Sequence, residues 1–327
     1  MSFGLAVVPI LIYIIGVLMS MRSSDEHLEE ALEEYNNKVN ELESGGTPEE
    51  LLEALVNRST VLMLMGSYVS SMTDLEDAME LMDEMQQNGR FPNVGTFVKV
   101  YENHGHMCCE DDAEMMMDDY LKIIPKLATM NATTRHYDRK SLISMCLECA
   151  KELIDADYAE HSLPFLEKGL LFLGSTKDDW TLNRRAEMYS LMGEAHHDMG
   201  VYEEALKEFS KAIEIASDLY LADRLDEDMT VSFVYSFVLK GDIEDRAGDN
   251  QASINDYESA ADVLDQLENE GRTFDRDLLL DMHRTLSRLL MEAGDVERAE
   301  VHLMKAMRME VPNVDIAIKN IGAKKDQ

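Results

Sequence analysis

The sequence predicts an all-α protein, an α-solenoid of about six helix-turn-helix repeats that follows an N-terminal hydrophobic helix. Three observations support this prediction. Residues that favour helices occur throughout, and only 6 of the 327 residues are Pro. Runs in which Val, Ile or Thr alternates with polar residues, which are typical of strands, are few. Apolar residues recur three and four positions apart, as one face of a helix requires, and this pattern returns several times along the chain.

The repeat is clearest in the stretch Ala186–Ser217, which predicts two amphipathic helices joined by a turn at Met199-Gly200. The residues that share a face are Tyr189, Met192, Gly193 and His196 on the first helix, and Ala205, Phe209 and Ala212 on the second. Small residues on such a face let two helices approach closely, because the side chains at the contact set the distance between the axes. Phe209 then fills the remaining space.

This pattern resembles one unit of the tetratricopeptide repeat (TPR) family, in which an aromatic residue, Leu-Gly and Tyr precede Ala and Phe. The matching positions are Tyr189, Met192-Gly193, Ala205 and Phe209. His196 replaces the usual Tyr, and Ser217 replaces the closing Pro. One such unit cannot bury its own apolar face, so the resemblance implies neighbouring units.

Five further units are predicted from the same spacing, which gives six in total. The residues expected at the position of Gly193 are Gly66, Tyr101, Ala150, Gly241 and Ser287. Successive positions (66, 101, 150, 193, 241 and 287) are 35, 49, 43, 48 and 46 residues apart. Only the first interval is close to the TPR period, so a looser α-solenoid is the alternative fold.

The domain organisation follows from composition and from helix start and stop signals. Residues 1–22 are predicted to be a hydrophobic segment, 23–58 an acidic helical lead-in, 59–313 the repeat array, and 314–327 a C-terminal cap and tail. Thr47-Pro48-Glu49-Glu50 is a strong helix start, because it combines a capping residue, Pro at the first helical position and acidic residues in the first turn.

The N-terminal run Phe3–Met21 contains no charged residue and is long enough to predict a transmembrane anchor. Arg22, on its C-terminal side, favours a cytoplasmic location for the rest of the chain. We therefore expect a membrane-anchored protein with its repeats in the cytoplasm, or otherwise a cytoplasmic protein. The alternatives for this run are a helix buried against the first repeat and an upstream extension that is not normally translated.

The charge balance restricts the class of partner. Lys plus Arg is 30 and Asp plus Glu is 65, so the net charge is 30 − 65 = −35. This balance argues against direct binding of nucleic acid, which requires a basic surface. It favours protein segments that are basic or of mixed charge, although most of the acidic residues are expected only to solvate outer helix faces.

No catalytic motif is present: phosphate-binding loop, nucleophile elbow and zinc-protease patterns are all missing from the sequence. The prediction is therefore a protein that is not an enzyme and has no cofactor. The four cysteines, Cys108, Cys109, Cys146 and Cys149, are expected to be reduced thiols. A metal site that joins them to His104 and His106 is the alternative, since thiolate and imidazole suit zinc.

The TPR resemblance implies a scaffold or adaptor that binds peptide or helical segments on a concave wall formed by the first helix of each unit. The residues implied for this groove are Ser190, Glu194, His197, Tyr235, Val238, Asp242, Asp245, Arg284 and Arg288. Ser190 and Glu194 stand where some family members carry the Lys and Asn of a carboxylate clamp, which argues against chaperone-tail binding of that type. The alternative functions are a zinc-binding helical-repeat enzyme or regulator, and a soluble TPR sensor with no membrane role.

Overall fold

A computed structural model describes residues 27–108, 113–129, 139–272 and 276–310. Every regular element in these ranges is a helix, which confirms the all-α prediction. The helices are α1 (27–45), α2 (Pro48–Leu64), α3 (Tyr68–Gln87), α4 (Val94–Cys108), α5 (Ala113–Thr129), α6 (Arg139–Asp155), α7 (Ala159–Leu173), α8 (Asp179–Asp198), α9 (Tyr202–Leu221), α10 (Glu227–Ala247), α11 (Asn250–Glu270), α12 (Arg276–Glu292) and α13 (Val296–Glu310). The predicted N-terminal hydrophobic helix, Cys109 and the predicted C-terminal cap lie outside the described residues.

From α2 onward, consecutive helices pack in pairs, so the described chain forms six helical hairpins: α2–α3, α4–α5, α6–α7, α8–α9, α10–α11 and α12–α13. These are the six helix-turn-helix repeats that the sequence predicts. The hairpins belong to two compact units, residues 1–138 with α1 to α5 and residues 139–327 with α6 to α13.

Local sequence signals determine where the helices begin and end. At the start of α2, the Glu50 amide donates to Thr47 Oγ1 over 3.3 Å, and the Thr47 amide donates to Glu50 Oε2 over 3.1 Å. This reciprocal capping box, with Pro48 at the first position, satisfies two amides that the helix itself cannot pair. In the last two hairpins the turn after the first helix holds Gly248 and Gly294, at φ 82° and 83°, a left-handed conformation that favours glycine.

The close helix contact predicted for α8 and α9 is present. A Cβ atom added to Gly193 would lie 2.6 Å from Cδ1 of Phe209, well inside van der Waals contact. Ala205, Phe209 and Ala212 are buried on the facing side of α9. The fifth hairpin repeats this arrangement, because a Cβ on Gly241 would lie 3.1 Å from the ring of Tyr257.

The predicted register is wrong in the first hairpin. Gly66 does not lie at a helix contact but in the turn between α2 and α3, with φ 72°. Ser59 and Ser71 occupy the positions of Gly193 and Ala205, and the Ser71 hydroxyl donates to the Ser59 carbonyl over 2.8 Å. The shift is seven residues, almost two helical turns, so it leaves the same face of each helix buried and the apolar pattern nearly unchanged.

The second hairpin also differs from the prediction. Tyr101 was assigned to the close contact and is too large for it. The structure instead places Gly105 opposite the ring of Tyr120, where no Cβ could fit without displacing that ring. The second unit of the array is therefore less degenerate than its sequence indicates.

The membrane localisation predicted from the sequence needs correction. None of the helices in the described ranges is long and apolar enough to cross a membrane. The long helices are amphipathic; α9, for example, carries Glu203, Glu204 and Lys207 in its first two turns. The apolar run Phe3–Met21, on which the prediction depended, lies outside the described residues.

Candidate functional site

The candidate site is the first-helix wall, the surface formed by α6, α8, α10 and α12, which are the first helices of the four hairpins in the second unit. α6 packs against α8, and α8 packs against α10. The hydroxyls of Ser190 on α8 and Ser236 on α10 are 2.8 Å apart in a buried contact. All nine predicted groove residues belong to α8, α10 or α12, three of the four helices that define this surface.

Several of the predicted charges are paired within the chain. Asp242 lies 2.7 Å from Nη2 of Arg246, one turn further along α10. Asp245 lies 2.8 Å from Nη2 of Arg288, which joins α10 to α12. Only the Asp245 pair links two helices of the wall, and in both pairs the cationic partner reduces the negative charge that the carboxylate presents to a ligand.

His197 and Arg284 also interact with neighbouring side chains. His197 Nδ1 is 3.0 Å from Asp198, and its Nε2 is 3.9 Å from Asp242, which is too far for a hydrogen bond. Arg284 contacts Glu310 on α13 and lies 3.3 Å from Asp281. Its side chain is half exposed, so these pairs are weak and can be exchanged for others.

Glu194 differs from the two other predicted groove acids, Asp242 and Asp245, because its side chain has no ion pair or hydrogen bond with any described residue. It is partly buried. Burial raises the pKa of this carboxyl above its ordinary value, and the nearby Asp198 and Asp155 raise it further. A cation next to this carboxyl would oppose both effects, because an opposite charge favours the ionised form.

Apolar side chains on α10 remain accessible on the same wall. Tyr235 is 40% exposed, and Val231, one turn earlier on α10, is 58% exposed. Val238 is partly buried and packs against the core of the second unit. The sequence prediction missed Val231, although its spacing of four residues from Tyr235 places both on one helix face.

A buried ion network at the start of the wall was also missed. The Glu187 carboxylate is only 4% exposed and lies 2.5 Å from Lys151 of α6 and 2.7 Å from Arg184. Arg184 reaches Asp226, the residue before α10, over 3.0 Å. Only the three-residue spacing of Arg184 and Glu187 is visible in the sequence; the contacts to Lys151 and Asp226 depend on how successive hairpins stack.

A second feature of this unit is a cavity of about 370 Å³ at the last hairpin. It is lined by Asp265, Glu268, Asn269, Arg276, His283, Lys305, Arg308 and Met309. Burial opposes ionisation of Asp265, yet hydrogen bonds from His283 and Lys305 lower its pKa to about 2. Lys305 and Asp265 are 2.5 Å apart and neutralise each other, which leaves Glu268, Arg276 and Arg308 as the other charged residues of the lining.

The cysteines of the metal site considered from the sequence are divided between the two units. Cys146 and Cys149 lie on α6, buried in the second unit, and Cys108 is buried in the first. None of these three forms a disulfide. Among the described residues, the one group of three potential metal ligands is His104, Cys108 and Asp119, which includes neither Cys146 nor Cys149.

The same three residues do not form a nucleophilic triad. The Asp119 carboxylate is 2.5 Å from His104 Nδ1, and the Cys108 thiol is 3.9 Å from that same nitrogen. In a catalytic triad the nucleophile and the orienting acid contact different nitrogens of the imidazole. A relay of protons through His104 is therefore excluded by this geometry.

Comparisons with known proteins agree with the architecture. The tetratricopeptide repeat family model matches residues 186–219. The apo form of RapI is similar in structure, with 13% identity, a TM-score of 0.55 and coverage of 89% of this chain and 79% of that one. A signal transduction ATPase with numerous domains and a tetratricopeptide repeat sensor, from Pyrococcus horikoshii, has 12% identity and a TM-score of 0.52. That alignment covers 86% of this chain but only 40% of the other. No curated protein sequence matches the chain significantly.

Proposed function

We propose that the chain, which matches the tetratricopeptide repeat family model over residues 186–219, is an interaction scaffold that binds a segment of another protein on the first-helix wall. The observation that carries this proposal is the exposed apolar pair Val231 and Tyr235 on α10. Exposed aromatic side chains at the centre of a surface are frequent hot spots of binding. The role proposed is recognition without catalysis.

The charges of the wall support a partner segment that is basic or of mixed charge. Glu194 offers an unpaired carboxylate on α8, the helix next to the one that carries Tyr235. Asp242 and Asp245 contribute less, because Arg246 and Arg288 neutralise them. At the far end, Arg284 would meet an acidic residue of the segment and so define its direction.

The proposal is tested by affinity capture with the full-length protein and two matched variants. Tyr235→Ala removes the exposed ring from the wall, whereas Tyr68→Ala removes a ring that is 61% exposed at the start of α3. A partner of the wall should be captured by the wild type and by Tyr68→Ala. Its affinity for Tyr235→Ala should be at least about 30-fold lower, which corresponds to a hot-spot loss of about 2 kcal/mol.

One outcome of this experiment would contradict the proposal. If every captured protein binds Tyr235→Ala and the wild type with equal affinity, the first-helix wall is not the binding surface. Circular dichroism of Tyr235→Ala serves as the folding control, because the side chain is exposed and its loss should leave the helices intact.

A further inference from the structure

A cluster of buried polar side chains joins the two helices of the second hairpin, in the first unit and apart from the proposed wall. His104 and Cys108 lie on α4, and Asp119 lies on α5. They are 5%, 4% and 1% exposed. One ligand atom from each of the three lies within 4.8 Å of the others.

We propose that His104, Cys108 and Asp119 form a zinc site that clamps α4 to α5. His104 and Cys108 are four residues apart, which places both on one face of α4. Asp119 reaches the same point from α5. Imidazole nitrogen, thiolate sulfur and carboxylate oxygen are the three ligand types that Zn²⁺ takes in proteins.

The separations of these atoms are close to those a zinc ion requires. Zinc–ligand bonds of about 2.0–2.3 Å put the ligand atoms of a tetrahedral site roughly 3.3–3.8 Å apart. The Cys108 Sγ to His104 Nδ1 distance is 3.9 Å, already near this range. The Asp119 Oδ2 to His104 Nδ1 distance is 2.5 Å, so these two atoms have to separate by about 1 Å when zinc binds.

An outer partner holds the carboxylate in position. The Lys122 ammonium donates to Asp119 Oδ1 over 3.0 Å, which leaves Oδ2 facing His104. Partners of this kind orient metal ligands and are a usual part of such sites. Met115, which is 45% exposed, accepts a weak hydrogen bond from the Cys108 thiol, with the two sulfur atoms 3.5 Å apart.

Binding requires proton release. The Cys108 thiol loses its proton to solvent as the zinc–sulfur bond forms. The proton shared by His104 Nδ1 and Asp119 Oδ2 also leaves, to Nε2 of the same imidazole or to solvent, because both atoms become zinc ligands. No redox change is involved. Without metal, the cluster is a buried His–Asp contact beside a thiol, which stabilises the hairpin but binds nothing. The two descriptions therefore predict different affinities for zinc and different effects of replacing Cys108.

The experiment uses the full-length protein, stripped with a chelator and titrated with Zn²⁺ in competition with a chromophoric chelator. Co²⁺ serves as a spectroscopic probe, because cobalt bound to a thiolate gives a charge-transfer absorption that carboxylates do not. We expect one competitive Zn²⁺ site per chain and a cobalt–thiolate band. Cys108→Ser should abolish the band and weaken zinc affinity by more than about 10-fold, the smallest loss typical of removing even an outer partner.

Matched controls distinguish zinc bound at this cluster from zinc bound by acidic residues of the surface. Cys146→Ser changes a buried thiol on α6 and should keep both the band and the affinity. Cys108→Ala, which keeps an apolar side chain at the buried position, replaces Cys108→Ser if the latter does not fold. Zinc should also raise the melting temperature of the wild type and not that of the Cys108 variant. Absence of the band from the wild type, or equal zinc affinity in the Cys108 variant, would overturn the proposal.

Discussion

At the scale of single residues, the contact of Gly193 with Phe209 shows how one position determines a helix pair. The ring of Phe209 occupies the space in which a side chain at 193 would lie, and Phe209 itself is completely buried. The small residue and the aromatic residue are therefore complementary in volume. A close-packed interior cannot absorb an added methyl group here without moving the ring or the helices.

We predict that Gly193→Ala destabilises the protein despite the higher helix propensity of Ala, and that Gly193→Leu does so more strongly. Overpacking of this kind typically costs about 1–3 kcal/mol, which lowers the melting temperature by several degrees. Gly45→Ala is the matched control, because a Cβ there would have no atom within 4 Å. Thermal unfolding followed by circular dichroism measures both. Equal melting temperatures for Gly193→Ala and Gly45→Ala would contradict the close-contact assignment.

At the scale of helices, ion pairs of two kinds hold neighbouring elements together. Arg58 on α2 and Asp74 on α3 form a bidentate pair, with Nε to Oδ2 at 2.8 Å and Nη2 to Oδ1 at 2.7 Å. Their side chains are only 18% and 5% exposed. By contrast, Arg90 and Glu49 form a pair of similar length that is nearly half exposed. Burial of the pair, more than the distance between its atoms, decides how much the pair contributes to the free energy of unfolding.

Breaking the Arg58–Asp74 pair should therefore cost far more than breaking the exposed one. Asp74→Ala leaves a partly buried guanidinium without its carboxylate, at an expected cost of about 3 kcal/mol. Glu49→Ala should cost less than about 1 kcal/mol. Urea denaturation of the full-length variants measures the difference. If the two midpoints shift equally, the buried pair is not a main link between α2 and α3.

The same scale shows what could be predicted from the sequence. In the six described hairpins the buried helical faces were predictable, because the spacing of apolar residues alone indicates an apolar stripe. The register was predictable in the hairpins of Gly193 and Gly241, where the turn glycine and the contact glycine are both present. In the first hairpin Ser59 replaces the contact glycine, so the turn residue Gly66 was mistaken for it.

The pairing of charges on the wall could not be predicted. Asp245 and Arg288 are 43 residues apart in sequence, and their contact depends on the exact length and stacking of the intervening helices. The sequence therefore predicted on which helices the candidate groove residues lie, but gave no basis for separating Glu194 from the acids that have partners. For the same reason the sequence did not indicate that Asp119 joins His104 and Cys108 in the proposed zinc site, since Asp119 is one of 65 acidic residues.

At the scale of the whole molecule, the net charge of −35 attracts any cationic partner before contact is made. Such attraction acts mainly on the association rate, and it is screened over about 10 Å at 0.1 M salt. A general negative field does not by itself choose a binding surface. A variant of Glu194 can measure how much of the attraction is due to this one carboxylate.

We predict that Glu194→Gln slows association of a wall partner at low salt and makes the rate less dependent on salt. Glu214→Gln, which removes an exposed acid from α9, changes the net charge identically, from −35 to −35 + 1 = −34, but away from the wall. Stopped-flow association at several salt concentrations therefore isolates the position of the charge from its amount. Contacts to Tyr235 should provide the affinity that remains at high salt. If both variants change the salt dependence equally, only the overall field steers the partner, and Glu194 is not part of its recognition.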